Sequence, residues 1–201
     1  MAAAMEVIYE RRVGFRVIVK FMSKKDWTSH LKIVLEDLQD ENLETTGMND
    51  DLNPATNTLK VLQEVYSHHK NKLMTPPVAL SHAKMFLNDQ TISARVGKEE
   101  TFTSNMVEEL REELQSFVSS HNHEEGKVAW WVLVDRVQIY RAFKILSTGT
   151  ILVDLPGYGD SNLMRAKQAE LYMAEADSII VAYDVCRVID DPNMRLYLKK
   201  W

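Results

Sequence analysis

Near the start of the chain, apolar residues occupy every second position. These positions are Val13, Phe15, Val17, Val19 and Phe21. Because successive side chains of a strand point to opposite faces, the alternation predicts a strand within residues 6–22. The intervening residues are Gly14, Arg16, Ile18 and Lys20, so the second face of this strand is partly apolar.

From Ser23 to Glu125 the apolar residues follow helical spacing instead. Ser23 and Asp26 resemble a capping box in which Asp replaces the usual Glu, and they predict the start of a helix. One face of that helix collects the apolar residues Trp27, Leu31, Val34, Leu35 and Leu38. The whole range 23–125 is therefore predicted to be a helical insertion.

Further helices are predicted within this range. One begins at Asn53 and Pro54, because Asn caps well and Pro suits the first turn. Its apolar stripe consists of Leu59, Leu62, Val65 and Tyr66. Pro76 and Pro77 interrupt the chain before a weaker helix over residues 78–87. A last helix is capped by Thr103 and buries Met106, Leu110, Leu114, Phe117 and Val118.

The pattern changes again after Gly126. Residues 128–140, rich in Val, Ile and aromatic residues, predict a long strand, and the Ser-Thr-Gly sequence at 147–149 predicts a turn. The apolar residues 151–153 predict a short strand covered on both faces. A helix over 162–175, a strand over 178–185 and a helix starting at Asp190 and Asp191 follow. Strand, helix, strand is typical of a doubly wound α/β sheet.

Composition and charge exclude several classes of protein. Hydrophobic residues make up 45% and charged residues 26% of the chain, as in globular proteins. The net charge of −5, with scattered basic residues, argues against a nucleic-acid binder. A single cysteine, Cys186, allows no internal disulfide and suits an intracellular compartment. The longest apolar run, residues 128–134, is shorter than the roughly 20 residues of a membrane span.

The sequence around Asp154 carries the candidate chemistry. An apolar strand delivers Asp154 to its carboxyl end, and Gly157 lies in the Gly-rich loop that leads into the next helix. Ligands of open α/β sheets bind beyond the carboxyl ends of the strands. An Asp there can hold Mg²⁺, and a Gly three residues later lets its backbone N–H approach a phosphate. This is the DxxG arrangement that senses a γ-phosphate.

At these residues the sequence resembles a known family. The segment ILVDLPGYGDSNLMRAKQAELYM, which contains the switch II motif, and the following ADSIIVAYDVCRVIDDP are similar to the dynamin-superfamily large GTPases, nearest to their nuclear GTPase SLIP-GC-like branch. The similarity is strong over residues 126–201, fair over 1–40 and loose between them. It implies GTP and Mg²⁺ as ligands, Asp154 as the metal ligand, Gly157 as the γ-phosphate sensor, and a place in the nucleus or cytoplasm.

The chain departs from the family at two other motifs. The phosphate-cradling GxxxxGK[ST] is absent, and so is the base-reading [NT]KxD. The resemblance places the first before Met1 and the second beyond Trp201. It also places Met5 where the family has the switch I Thr. We therefore expect a truncated or degenerate GTPase that binds GTP poorly by itself, with no assigned catalytic residue.

The fold class predicted is α/β, a partial P-loop NTPase-type doubly wound sheet with a helical insertion. Residues 1–22 and 126–201 are assigned to an incomplete GTPase domain. The leading function is GTP binding and hydrolysis of the dynamin-like kind. The alternative is a non-catalytic helical interaction module, a pseudo-GTPase that self-associates or pairs with a partner protein.

Other candidate residues have simpler interpretations. His121 and His123 precede Gly126 in a polar stretch and are interpreted as a solvated loop, because metal sites need three or four placed ligands. His68 and His69 are interpreted as favouring the dipole at a helix end. The Trp130-Trp131 pair is interpreted as one core and one cover residue rather than a stacking platform.

Overall fold

The computed structural model describes residues 3–37, 61–69, 85–86, 88–118, 127–155, 169 and 172–180, with only the backbone for 33–37. Several predicted features lie outside these residues. They are the helix start at Asn53, the break at Pro76, the His121 and His123 pair, Gly157, and the helix start at Asp190.

Five strands form one mixed sheet. They are β1 (Ala4–Tyr9), β2 (Phe15–Phe21), β3 (Glu99–Ser104), β4 (Val134–Arg141) and β5 (Leu152–Asp154), in the order β3-β2-β4-β1-β5. Among the described strands, only β1 and β4 pair in parallel, from Ala4 opposite Arg136 to Tyr9 opposite Arg141. The other described pairs are antiparallel. The α/β class is thus confirmed, while the P-loop NTPase type of sheet stays a prediction.

The alternation over residues 6–22 corresponds mainly to β2. Phe15, Val17, Val19 and Phe21 are buried, and the residues between them are half-buried. Val13 lies before the strand and is exposed, so the apolar alternation begins one step too early. Strand β2 lies between β3 and β4, so its buried residues have a neighbouring strand on each side.

Helix α1 (Lys24–Asp37) begins where the capping box predicts. The Asp26 backbone N–H donates to Ser23 Oγ at 3.1 Å, and the Ser23 hydroxyl donates to the Asp26 carboxylate at 2.6 Å. Trp27 and Leu31 are buried, as predicted for the apolar face. Residues 61–65 are also helical, and Leu62, Val65 and Tyr66 are buried as predicted.

A strand lies within the range predicted to be helical, and this corrects the prediction. Strand β3 pairs antiparallel with β2 at one edge of the sheet. Thr103, predicted to cap a helix, belongs to this strand. Ser104 instead shapes the turn before the helix, since its Oγ accepts a hydrogen bond from the Met106 backbone N–H at 2.9 Å and donates to the Glu109 carboxylate at 2.7 Å. The division of the chain into a GTPase domain and an insertion stays a prediction.

Two further helices are the short α2 (Gln90–Ser93) and α3 (Val107–Val118). Leu110, Leu114 and Phe117 of α3 are buried as predicted, whereas Met106 is exposed ahead of the helix. Phe117 packs edge-on against Phe21, with ring centroids 6.0 Å apart. Phe117 also contacts Phe102 of β3, with ring centroids 5.7 Å apart, so helix α3 covers the sheet at β3 and β2.

The long strand predicted over residues 128–140 is shorter than expected. Residues Trp130–Val132 form a 3₁₀ helix, and β4 begins only at Val134. The segment before β4 is apolar at every position and largely buried, so its sequence has no period that separates a strand from a buried turn. Trp131 is buried, and Trp130 is half-buried beneath the Arg95 guanidinium at 4.0 Å, as predicted for a core and a cover residue.

The turn predicted at 147–149 is confirmed. A 3₁₀ helix, Lys144–Leu146, leads into it, and the Gly149 backbone N–H donates to the Leu146 carbonyl at 3.1 Å. The strand after the turn departs from its prediction. Ile151 and Leu152 are exposed, with Leu152 53% accessible, although this strand was expected to be covered on both faces.

The last described segments only partly match the sequence pattern. Residues 169 and 172–175 are helical, with Ala169 and Met173 buried as predicted for residues 162–175. Ser178, Ile179 and Ile180 were predicted to start a strand, but they belong to no strand or helix. In the described part of the chain, no helix is both long and apolar enough to cross a membrane.

Candidate functional site

Asp154 is the predicted metal ligand, and it ends β5. Its side chain is exposed, and none of the described residues forms a hydrogen bond or ion pair with it. An exposed carboxylate of this kind can hold Mg²⁺ through the water shell that the ion keeps. Gly157, the predicted phosphate sensor, lies outside the described residues.

Strand β1 brings a second predicted position to Asp154. In the antiparallel β1–β5 pair, Asp154 lies directly opposite Met5. Met5 is the residue that the resemblance aligns with the switch I Thr. The strands β4 and β5, predicted to be consecutive elements leading into switch II, are not paired with each other, because β1 lies between them.

Next to Met5, Glu6 has a buried carboxylate with three donors. Arg136 and Gln138 of β4 donate to it at 3.2 and 2.6 Å, and the Tyr172 hydroxyl donates at 2.8 Å. A buried carboxylate is costly unless it is paired and hydrogen-bonded. These contacts therefore hold the helical residues after Asp154 against β1 and β4.

The Tyr172 hydroxyl keeps its proton in this arrangement. Burial, and then the hydrogen bond that the hydroxyl donates to Glu6, raise the pKa of Tyr172 well above its usual value. The carboxylate of Glu6 already accepts from three donors, so it has little capacity left for a ligand. We interpret this group as structural.

A second cluster of polar side chains lies away from the sheet edge. His68 and His69 belong to the 3₁₀ helix Ser67–His69, and Asp89 precedes α2. Nε2 of His68 contacts Asp89 Oδ2, and Nε2 of His69 lies 3.3 Å from the same oxygen. The other carboxylate oxygen, Oδ1, accepts from the Thr91 and Ile92 backbone N–H groups at 2.9 and 3.1 Å.

Asp89 is ionised in this cluster. Burial acts to raise its pKa, but the hydrogen bond with His68 and the backbone N–H groups of Ile92 and Thr91 outweigh burial and lower the pKa below its usual value. The Asp89 side chain is 4% exposed, whereas His68 is 40% and His69 25% exposed. The carboxylate of the cluster is thus buried, whereas its two imidazoles are partly exposed to solvent.

Buried aromatic residues hold the two segments of the cluster together. The Trp27 indole N–H donates to the Tyr66 hydroxyl at 3.2 Å, and that hydroxyl donates to the Phe86 carbonyl at 3.2 Å. The Tyr66 and Phe86 rings are 4.6 Å apart. These contacts place the histidines after Tyr66 close to the aspartate that follows Phe86.

Sequence reasoning missed this cluster. His68 and His69 were interpreted only by their position at a helix end, where the structure also finds them. Asp89 is 21 residues from His68, and only the packing of Tyr66 against Phe86 brings them together. The available signal was Asp89 as a helix-capping residue, but capping indicates no partner elsewhere in the chain.

Comparison with known proteins identifies no relative of the chain. No family model matches it, and no curated protein sequence matches it either.

Proposed function

We propose that the chain binds GTP with Mg²⁺ in the manner of a dynamin-like large GTPase, and binds it weakly. In this proposal Asp154 holds Mg²⁺ through water and Gly157 approaches the γ-phosphate. The observation that carries the proposal is the position of Asp154, exposed and unpaired among the described residues at the end of β5 and opposite Met5.

The weakness follows from the donors that the sequence lacks. Micromolar affinity needs about −8 kcal/mol. One water-mediated link to Mg²⁺ and one backbone N–H supply roughly 1.5–3 kcal/mol each, by analogy with charged hydrogen bonds. Association itself costs roughly 4–15 kcal/mol. Without GxxxxGK[ST] and [NT]KxD, the 201 residues are therefore expected to bind GTP far more weakly than micromolar and not to hydrolyse it.

The test is a titration of the purified chain with a fluorescent GTP analogue, with and without Mg²⁺. We expect weak, Mg²⁺-dependent binding that Asp154→Ala reduces by roughly ten- to hundredfold, the loss of one charged contact. Asp177→Ala is the matched control, because Asp177 is also exposed but lies outside the motif. Binding as tight as micromolar contradicts the expected weakness, and an equal loss in both variants contradicts the role of Asp154.

A second candidate function is pairing with another protein chain through β5. Among the described strands β5 is an edge strand. Its first residue, Leu152, and the preceding Ile151 are both exposed. Unpaired strand edges with apolar side chains are sites of strand addition. The opposite edge, β3, is better protected, because Glu99, Thr101 and Thr103 are its exposed residues.

Sedimentation velocity over a range of concentrations tests this second candidate. We expect the chain to self-associate and Leu152→Lys to shift it toward monomer, because a charge on an edge strand opposes pairing. Val13→Lys is the control, since Val13 is also apolar and is even more exposed than Leu152, but it precedes β2. A chain that stays monomeric at all concentrations would remove self-association as a function.

A further inference from the structure

Three metal-ligand atoms converge between the Ser67–His69 turn and the start of α2. The candidate ligand atoms of His68, His69 and Asp89 all lie within 4.8 Å of one another. Ligands of a tetrahedral ion with bonds of about 2.0–2.2 Å lie roughly 3.3–3.5 Å apart. The 3.3 Å between His69 Nε2 and Asp89 Oδ2 already has this spacing.

Asp89 is oriented in advance as a ligand, with one oxygen held by the backbone and the other facing the imidazoles. Its Oδ1 is held by two backbone N–H groups, those of Thr91 and Ile92. Its Oδ2 is directed at both imidazoles. Second contacts of this kind fix the orientation of a metal ligand and are part of most metal sites in proteins.

The imidazoles are also fixed by their surroundings. The rings of His68 and His69 have centroids 4.3 Å apart, and the His69 ring lies 6.4 Å from that of Phe86. The turn begins directly after Tyr66, which is buried and is hydrogen-bonded to both Trp27 and Phe86. A ligand set held on a packed scaffold loses little freedom when an ion binds.

We propose that His68, His69 and Asp89 bind a divalent transition-metal ion, with Zn²⁺ as the ion that fits best. Imidazole nitrogens favour Zn²⁺ and its neighbours over Mg²⁺ and Ca²⁺, which prefer oxygen. Three protein ligands leave a fourth position of a tetrahedral ion, and the exposed side of His68 gives water access to it. The bound ion joins two segments that are 21 residues apart in the sequence.

The competing arrangement is an ion pair of Asp89 with a protonated histidine and no metal. The two arrangements differ in their response to metal, because an ion that binds the folded chain stabilises it. An ion pair without metal predicts no metal absorption band and no effect of metal on stability.

The experiment is a titration of the metal-free, purified chain with Co²⁺, followed by displacement with Zn²⁺. A tetrahedral Co²⁺ site gives visible absorption bands, and we expect them to appear at one equivalent and to vanish as Zn²⁺ replaces Co²⁺. Mg²⁺ is expected to leave them unchanged. Zn²⁺ is also expected to raise the melting temperature, because it binds only the folded arrangement.

Two variants assign the signal to these residues. His68→Ala removes a partly exposed ligand, and Asp89→Asn keeps a good capping residue at α2 while removing the charge. Each is expected to weaken Co²⁺ binding at least roughly tenfold, the lower end for loss of a group that supports a metal site. Circular dichroism checks that both variants keep the helical content of the parent chain.

The matched control is the double variant His121→Ala with His123→Ala, which removes two imidazoles from the other histidine pair. We expect it to bind Co²⁺ and Zn²⁺ as the parent chain does. The proposal is overturned if the parent chain gives no tetrahedral band, if the control variant loses the band, or if both His68→Ala and Asp89→Asn retain it.

Discussion

Gly14 has a conformation and a neighbourhood that exclude a side chain. Its φ is +74°, in the left-handed region, and a Cβ there would lie 2.9 Å from the Ser104 carbonyl oxygen and would also clash with the Asn105 side chain. Gly97 has nearly the same φ, +75°, but nothing lies within 4 Å of an added Cβ. Substitution of Gly97 therefore adds backbone strain alone, whereas substitution of Gly14 adds both backbone strain and a steric clash.

We expect Gly14→Ala to destabilise the protein more than Gly97→Ala does. Backbone strain alone costs about 1–2 kcal/mol in each case. The close contact with the chain after β3 adds to this cost only at Gly14. Urea unfolding of both variants measures the difference, and equal losses would show that the contact at Gly14 relaxes freely.

Asp89 makes the free energy of unfolding depend on pH in the acidic range. Its pKa is lowered in the folded protein from a usual value of 3.8, because its hydrogen bonds outweigh burial. Its contribution to stability is thus fully present above the unfolded pKa and is lost as the pH falls through the folded pKa. His68 and His69 are the described titratable groups that face it.

Unfolding by urea at a series of pH values between about 5 and 3 tests this dependence. The parent chain is expected to lose more stability over this range than Asp89→Asn, which has no proton to gain. The comparison cancels the other carboxylates, among them Glu10, whose pKa is lowered by its hydrogen bond to Arg16. Parallel curves for the two proteins would contradict the prediction.

At the scale of single elements, the start of α1 depends on one hydroxyl. Ser23 Oγ accepts from the Asp26 backbone N–H and donates to the Asp26 carboxylate. Ser23→Ala is expected to cost about 0.5–2 kcal/mol, because the first turn of the helix loses its cap. Thermal unfolding followed at the far-ultraviolet helix signal measures the loss.

Ser29→Ala is the matched control for this prediction. Ser29 lies within the same helix and is exposed. Since Ala has the higher helix propensity, this change is expected to stabilise the helix slightly, by less than about 0.7 kcal/mol. The capping explanation fails if Ser23→Ala is as stable as Ser29→Ala.

The elements that were predicted well are those with a complete local signal. Strand β2 has four buried residues in strict alternation, and α1 has both a cap and an apolar face. Strand β3 was missed because Phe102 is its single large apolar residue, so that its alternation has almost no hydrophobic contrast. A strand at the edge of a sheet can form from such a sequence because one neighbour, β2, supplies its pairing.

The candidate sites also differ in how much local sequence signal they have. Asp154 could be found from the sequence because strand, Asp and Gly are contiguous there. The His68, His69 and Asp89 cluster could not, because its residues meet only through the buried contacts of Trp27, Tyr66 and Phe86. The antiparallel pairing of β5 with β1 could not be predicted from local signals either, since it joins Met5 to Asp154, which are far apart in the sequence.

For the whole molecule, the contact of Tyr172 with Glu6 joins residues that are 166 positions apart. Tyr172→Phe removes a hydrogen bond to a buried carboxylate and is expected to destabilise the protein by roughly 1.5–3 kcal/mol. Tyr140→Phe removes a hydrogen bond to the neutral Gln138 amide and is expected to cost roughly 0.5–1.5 kcal/mol. Urea unfolding compares the two, and a larger loss for Tyr140→Phe would reverse this assignment.

Strand β1 has both its sheet neighbours, β4 and β5, far along the chain. Ala4 pairs with Arg136, which is 132 residues later. At a translation rate of about 5–20 residues per second, Arg136 is therefore synthesised roughly 7–26 seconds after Ala4. The early strand is apolar over much of its length, so the nascent chain exposes it throughout this interval. Shielding of β1 until β4 has been synthesised would therefore protect the nascent chain from wrong pairing of this strand.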